Sequence, residues 1–596
     1  MSFTPNPIVF NKDGSLAGTQ MSFFSAYNAL SARYKKELER GWAGTFRRHI
    51  MPYIEEEPYR VLYSDRPSPQ NIPVNVQIGA IILKDILCCH DDDSIRNMAA
   101  FDMSVRYALC CENRAEAPFS DNVLTRFRRA CIGHYIDTGV DLIYSTFVSL
   151  KDRLADLMEI DRSMFSMDST MIGTWARDMS RLELLYVCNE ILIRAVTGYT
   201  IHKRAPKTTT VKHSFGACDN HGQLSLALPG GPDEGLDELG KFEEKRLQML
   251  AQAKEILPES LHRYLSPDAR NTATYHSKAP YGDRVSAVLR DASGLLAFCE
   301  RHPEHKSLDE YATFTRIINE QCKRDDGTGA LALRKKGEGM GSDIAQSPYD
   351  PDATYREKDG EKHRGYSAAF SQAKNPDGET LVMDYSVSTN NTPDGTLGAE
   401  ILERMPEAGP GEGATVVADG LFSGPEMEAA AKEKNISIVN TNLTGRKPED
   451  HCADHEFGSD NALVKCAGGA VPFSSTVNKR GVSPAKFTKA DCDGCPYRDK
   501  CNLKEYEDYN RLSASVKAKE RAEYLRSRDT EEFKALSDFR NGAETVPSIL
   551  KNYYGVDKNR SMGLASQKFN LGIAFISTNI RKFLKFADRR EKYALA

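Results

Sequence analysis

The sequence predicts an α/β protein whose mixed core follows an all-α N-terminal region. Three observations predict it. From about residue 20 to 160, apolar residues recur at helical spacing. From about 160 to 445, short alternating or apolar runs that read as strands interleave with helical segments. From about 505 to the end the pattern is helical again.

In the N-terminal region, VNVQIGAIILKDILCC predicts a helix. SIRNMAAFDMSVRYALCC predicts a second, with Ser94 as N-cap. PFSDNVLTRFRRACIGHYI predicts a third, opened by Pro118, Ser120 and Asp121 and carrying Arg126, Arg128 and Arg129. Three short helices with arginines on the last fit a helix-turn-helix arrangement as well as an ordinary bundle with exposed cations.

MEIDRSMFSMDSTMIG then alternates up to Asp168, as a strand ending on a polar residue would. SRLELLYVCNEILIRAV predicts an amphipathic helix, and residues from about 230 to 325 are helical and charged. The Gly-, Asp- and Lys-rich stretch GTGALALRKKGEGMGSDIAQSPYDPDATYREKDGEKHRG predicts an extended loop. GYSAAFSQAK and ETLVMDYSVST predict strands joined by the turn NPDG. GATVVADG predicts a short buried strand ending at Asp419, SGPEMEAAAKEKN a helix opened by Pro425, and ISIVNTNL another strand. The expected organisation is a helical domain over 1–155, a core over 156–445 with a helical insertion at about 175–360, a Cys-rich insertion over 446–504 and a helical part over 505–596.

The chain has 596 residues, 40% hydrophobic and 27% charged, enough apolar surface for a packed core. No run of about 18 apolar residues is present, so neither a membrane-spanning helix nor a membrane partner is expected. MSFTPNPIVFNKDGS lacks the basic start and apolar stretch of a secretory leader. The fourteen cysteines are scattered, some as adjacent pairs (Cys88–Cys89, Cys110–Cys111), which reads as a reducing cytoplasm and not a disulfide scaffold. The net charge of −5 gives no global sign of a polyanionic partner. Residues 541–596, however, hold ten Lys/Arg against four acids, which suits phosphate contact as well as a solvated helix face.

Two aspartates, Asp168 and Asp419, are expected at the ends of separate strands, where ligand-binding side chains collect in α/β sheets. Read singly, each is equally a turn former or a helix N-cap. Glu544 lies in DFRNGAETVPSILKNYYGVDKNRSMGL. Gly542 predicts a break there and Pro547 a helical first turn. Glu544 would sit near that helix N-terminus, on a face shared with Ile549 and Leu550. Paired divalent cations held by carboxylates from separate elements can drive in-line displacement at phosphorus without a covalent nucleophile.

Taken together, PFSDNVLTRFRRA, FSMDSTMI followed by SRLELLY, SPYDPDATYREKDGEKHRGY with VVADGLFSG, and RNGAETVPSILKNYYGVDKNRSMGL with a terminal helix containing Asn579 resemble bacterial insertion-sequence transposases of the DDE class. The resemblance implies an RNase H-like catalytic core. It implies that Asp168, Asp419 and Glu544 coordinate two Mg²⁺ (or Mn²⁺) ions. The implied reaction is strand cleavage and strand transfer at the ends of an insertion sequence. The implied partners are the terminal inverted repeats, target DNA and a second copy of the chain in the synaptic complex, in the cytoplasm at the nucleoid. A transposon-derived DNA-binding protein without catalysis and a simple metal-dependent nuclease are the rival readings. The long gaps between the three acids require insertions in the core.

The second gap contains VKCAGG and DCDGCPYRDKCNLK. Cys492 and Cys495 have the two-residue spacing of a zinc knuckle. Cys466 and Cys501 complete a four-thiol set for a structural Zn²⁺, with His451, Cys452 and His455 as alternative ligands and free or redox-paired thiols as the other reading. For DNA contact, Arg126, Arg128, Arg129, Lys551, Lys558 and Arg560 are the candidates, with Tyr553 and Tyr554 as stacking or core residues.

Overall fold

The computed structural model describes the chain except residues 1, 7–8, 11–15, 18–26, 65–70, 112–117, 200–231, 267–268, 326, 328, 336, 359, 407–412, 443–446, 559 and 596. The N-terminal helices that position the core are α1 (Val74–Ile86), α2 (Asp92–Phe101), α3 (Met103–Ala108), α4 (Val123–Thr138) and α5 (Leu142–Leu157). The helix expected to start at Ser94 differs in two ways. Its N-cap is Asp91, whose carboxylate accepts from the Ser94 backbone N–H at 2.8 Å. It is also divided in two, because Asp102 accepts from the N–H groups of Ser104 (2.7 Å) and Val105 (3.2 Å) and starts a new helix there. Helix α4 begins after Asn122 (φ 63°), later than Pro118 to Asp121 suggested. It stops at Gly139 (φ 75°), where glycine accepts the left-handed turn without strain.

The first core strand, β1 (Met164–Gly173), leads into an insertion built on α6 (Arg181–Thr197), α7 (Tyr281–Arg301) and α8 (Asp309–Gln321). Helix α6 was expected to be amphipathic, but it is buried from Leu182 through Glu190 without a break. It is the central helix of a separate hydrophobic cluster that includes Leu185, Leu192, Leu289, Leu295 and Phe314. Much of residues 327–365 is irregular as expected. Within that stretch, however, Thr354–Lys358 forms β2, paired antiparallel to β3 (Glu361–Lys374).

β3 turns through Asn375–Gly378 into β4 (Thr380–Thr389). Helix α9 (Asp394–Arg404), β5 (Thr415–Ala418), α10 (Pro425–Glu433) and β6 (Ser437–Asn440) follow. The sheet order is β6–β5–β1–β3–β2, with β4 also on β3. β6, β5 and β1 are parallel, and β3 is antiparallel to β1, β2 and β4. This is a mixed α/β sheet, consistent with the expected RNase H-like core. Gly365 pairs with Gly173 on one side and Thr354 on the other. Its φ is 138°, and a Cβ there would lie 2.2 Å from the Ile172 carbonyl oxygen, so only glycine allows this close approach.

The Cys-rich segment has its own small core around Leu463, Phe487 and Leu512. Its three-stranded sheet is formed by β7 (Ser483–Phe487), β8 (Leu503–Glu505) and β9 (Asn510–Ala514), with β9 in the middle. Helices α11 (Val516–Ser527), α12 (Glu531–Asn541), α13 (Thr545–Asn552) and α14 (Leu564–Leu595) complete the chain.

One hydrophobic cluster joins the N-terminal helices (Ile82, Leu150), the sheet (Met167, Phe370, Val416) and α14 (Phe575, Ile580). Two polar devices fix α14 against the sheet. Asp350 is fully buried and accepts from Tyr366, Thr174 and the Gly563 N–H, while Asp352 accepts from the Leu564 N–H at 3.0 Å. The block SPYDPDAT thus holds the first turn of α14, and Gly563 (φ 88°) supplies the sharp entry. Further along, Asn579 donates to the Val382 carbonyl and accepts from the Val382 N–H, both at 2.8 Å. These are backbone groups of β4 beside a bulge opposite Ser371 and Gln372. Asn579→Ala leaves both groups buried and unpaired, so it is expected to lower unfolding free energy by about 2–4 kcal/mol. Chemical denaturation checks this, and a loss below about 1 kcal/mol would mean that the amide is dispensable.

Candidate active site

Asp168 lies in the middle of β1, not at its end. β3 keeps pairing with β1 to Gly173, whereas β5 pairs with it only from Met164 to Ser166. The strand end that matters is therefore that of β5. Ser166 faces Val417, and extending this register by two residues brings Asp419 level with Asp168. Asp168 is 7% exposed, and its Oδ1 accepts from the Ser169 N–H at 2.9 Å. Asp419 caps the turn after β5, accepting from the Leu421 N–H at 2.7 Å.

Glu544 arrives from the far side of the Cys-rich segment. The break expected at Gly542 is absent. Its φ and ψ of −58° and −24° are right-handed helical, and α12 runs through a 3₁₀ turn at Gly542–Glu544 into α13. Pro547 falls in the first turn of α13 as expected. Val546 and Leu550 are buried, but the Glu544 side chain is 64% exposed, so it does not share the buried face with Leu550.

Arg540 brings the three acids together. Its Nη2 lies 3.1 Å from Asp168 Oδ1 and 3.8 Å from Asp419 Oδ2, and its Nη1 lies 3.0 Å from Glu544 Oε1. Its side chain is 12% exposed, and its Nε is buried without a hydrogen-bond partner. The sequence reading missed Arg540. The signal was available, because Arg540 and Glu544 are four residues apart and so share a helix face. Burial raises the pKa of Asp168 above its ordinary 3.8, Arg540 opposes that, and the charges on Asp419 and Glu544 raise it further. The three carboxylates are spread around the guanidinium. Among the described residues, the one group of three or more His, Cys, Asp or Glu with ligand atoms all within 4.8 Å is His451, Cys452 and His455.

The proposed DNA contacts divide. Arg126 and Arg129 are exposed on α4. Arg128 instead makes a bidentate pair with Asp92, both bonds 2.6 Å, and ties α4 to α2. Lys558 and Arg560 are exposed, and the Arg560 guanidinium stacks over the half-exposed Trp175 ring at 5.4 Å. Lys551 pairs with Asp557 at 3.6 Å. Tyr553 is exposed beneath Arg581, at 3.9 Å, whereas Tyr554 is largely buried beside Thr578 and Arg581.

Cys466, Cys492, Cys495 and Cys501 gather in the Cys-rich segment. A Cβ on Gly468 would meet the Cys495 and Cys466 sulfurs at 2.6 and 3.7 Å. Burial and then the neighbouring Cys495 and Cys466 thiols push Cys501 up to about 12. His451 faces this cluster, with Cys501 Sγ 3.5 Å from its Nε2, and His455 Nδ1 accepts from the Ala467 N–H at 2.9 Å.

A mixed sheet that sets two aspartates side by side, with a glutamate delivered from a helix, is an arrangement suited to holding cations for phosphoryl transfer. Residues 466–584 match the family model described as "Transposase DDE domain". The match supports a DDE-class transposase, and with it transposase-type nuclease activity on DNA. It covers β7 to most of α14 and includes Arg540 and Glu544, whereas Asp168 and Asp419 lie outside it. No curated protein and no solved structure matches the chain. No helix among the described residues is long and apolar enough to cross a membrane.

Two outcomes follow from the charges. An acid whose pKa is raised on folding favours the neutral form, so its contribution is lost as pH rises through the folded value. Ionised Asp168 therefore destabilises the cation-free protein at neutral pH. Asp168→Asn is expected to raise the melting temperature at pH 7, with the advantage vanishing below pH 3.8. Thermal unfolding against pH in the presence of a chelator measures it. On α4, Arg126→Ala and Arg129→Ala should each reduce the salt slope of DNA binding by about 1. Arg128→Ala should instead lower thermal stability, and an unchanged melting temperature would refute its structural assignment.

Proposed function

We propose that this chain is a DNA transposase that cleaves and joins strands at the ends of an insertion sequence. Asp168, Asp419 and Glu544 would hold two Mg²⁺ or Mn²⁺ ions. The observation that carries the reading is the convergence of these three acids, from separate elements, on the guanidinium of Arg540. A cluster of anions already gathered about one cationic group fits a cation-binding role. When bound, the ions would activate the attacking oxygen and stabilise the leaving one.

The residues of the chain supply the rest. The β1–β5 register orients Asp168 and Asp419, and α12 aims Arg540 and Glu544 across the end of β5. Arg126, Arg129, Lys558 and Arg560 offer phosphate contacts that weaken with salt, and Tyr553 offers a ring for stacking. Lys551 would contribute once free of Asp557. Terminal inverted repeats and target DNA are the proposed partners, with two copies of the chain in the synaptic complex, at the bacterial nucleoid. Cys466, Cys492, Cys495 and Cys501 are proposed ligands of a structural Zn²⁺.

A cleavage and strand-transfer assay on DNA carrying the element's ends tests the reading. Asp168→Asn and Asp419→Asn are each expected to cost at least about 100-fold, the scale of several kcal/mol of charge stabilisation. Full activity in either variant refutes the site. Cleavage that never proceeds to joining would identify a nuclease, and inertness of the unaltered protein would identify a DNA-binding derivative.

A further inference from the structure

The ligand atoms of His451, Cys452 and His455 all lie within 4.8 Å of one another. All three belong to the turn at Asp450–His455, and His451 and His455 are only 4% and 2% exposed. His451 Nδ1 is buried without a partner, and its Nε2 lies 3.5 Å from Cys501 Sγ. Zinc–nitrogen and zinc–sulfur bonds of about 2.05 and 2.3 Å, at a tetrahedral angle, put the nitrogen and sulfur about 3.6 Å apart. The Cys501–His451 contact, a hydrogen bond in the ion-free chain, thus already has the spacing that two ligands of one ion would keep.

We infer that His451, Cys452, His455 and Cys501 form a tetrahedral site for a zinc-like ion. The site would join the turn at Asp450–His455 to the cysteine loop ahead of β8. An entry path is present, because His451, Cys452 and His455 line a cleft of about 460 Å³ bordered by Lys500 and Leu512. The other side of the turn is already held: Arg526 of α11 pairs with Asp450 at 2.8 Å and with Asp454 at 2.7 Å. α11 leads directly into α12, which carries Arg540. The ion would thus anchor the base of the helical arm that delivers Glu544. This inference competes with the four-thiol zinc reading above, since it shares only Cys501 with that set and takes two imidazoles and Cys452 in place of the other thiols.

X-ray absorption at the zinc edge, on the full chain loaded with one equivalent of Zn²⁺, distinguishes the two. The expected shell is mixed, with nitrogen at about 2.0–2.1 Å and sulfur at about 2.3 Å. The double variant His451→Ala/His455→Ala should lose the nitrogen signal and at least about tenfold in zinc affinity. Cys492→Ser, outside the inferred set, should keep both. An all-sulfur shell in the unaltered chain overturns the inference and leaves the four-thiol reading standing. Equal loss of zinc in Cys492→Ser and in the double variant also overturns it. Failure of the unaltered chain to bind zinc removes both readings, while the carboxylate site is untouched.

Discussion

The register between β1 and β5 is the constraint on which the site depends. Three paired residues, Met164 to Ser166 against Thr415 to Val417, decide that Asp419 stands beside Asp168. A slip of one residue would turn Asp419 to the opposite face of the sheet. The register is held by burial: Met167, Val416 and Ala418 are fully enclosed, and Gly398 of α9 lies so close that a Cβ would meet Met427, Phe422 and Met167 within 3.2 Å. Apolar packing on the sheet face thereby sets the placement of the charges.

That placement has an electrostatic cost. Like charges gathered in a partly buried site repel more strongly than they would in water, because the effective dielectric is lower. Arg540 offsets this, since one side chain faces all three acids. Its buried position and its unpaired Nε indicate that the guanidinium is held among the carboxylates by their charge, without a full set of hydrogen bonds. One guanidinium against three carboxylates leaves the cluster short of positive charge, which bound cations would supply.

The fold and the site were legible in the sequence to different degrees. Helices and strands with strong periodicity, from α1 to β6, fall where the pattern puts them, because burial of one face enforces that period. Boundaries shifted where a side chain outcompeted the pattern, as at Asp91 and Asp102. The mid-strand position of Asp168 was not legible, since strand length depends on how far the neighbour β3 continues. Nor was the structural use of Arg128, whose partner Asp92 is 36 residues away. The convergence of Asp168, Asp419 and Glu544 was suggested by a resemblance of motifs and not by any local pattern. Arg540 is readable from helical spacing, four residues before Glu544, but nothing local in the sequence marks it as facing Asp168 and Asp419.

The helical insertion leaves the sheet after Gly173 and returns at Thr354, and both of those residues pair with Gly365. Its entry and exit thus straddle a single backbone position. A segment attached this way imposes the same boundary conditions on the sheet whatever its size. Its helices carry their own apolar centre, while its last turn, at Asp350 and Asp352, is tied to the start of α14. Architecturally the helices hang from a two-residue gateway in the sheet, and the segment that closes the gateway doubles as the seat of α14.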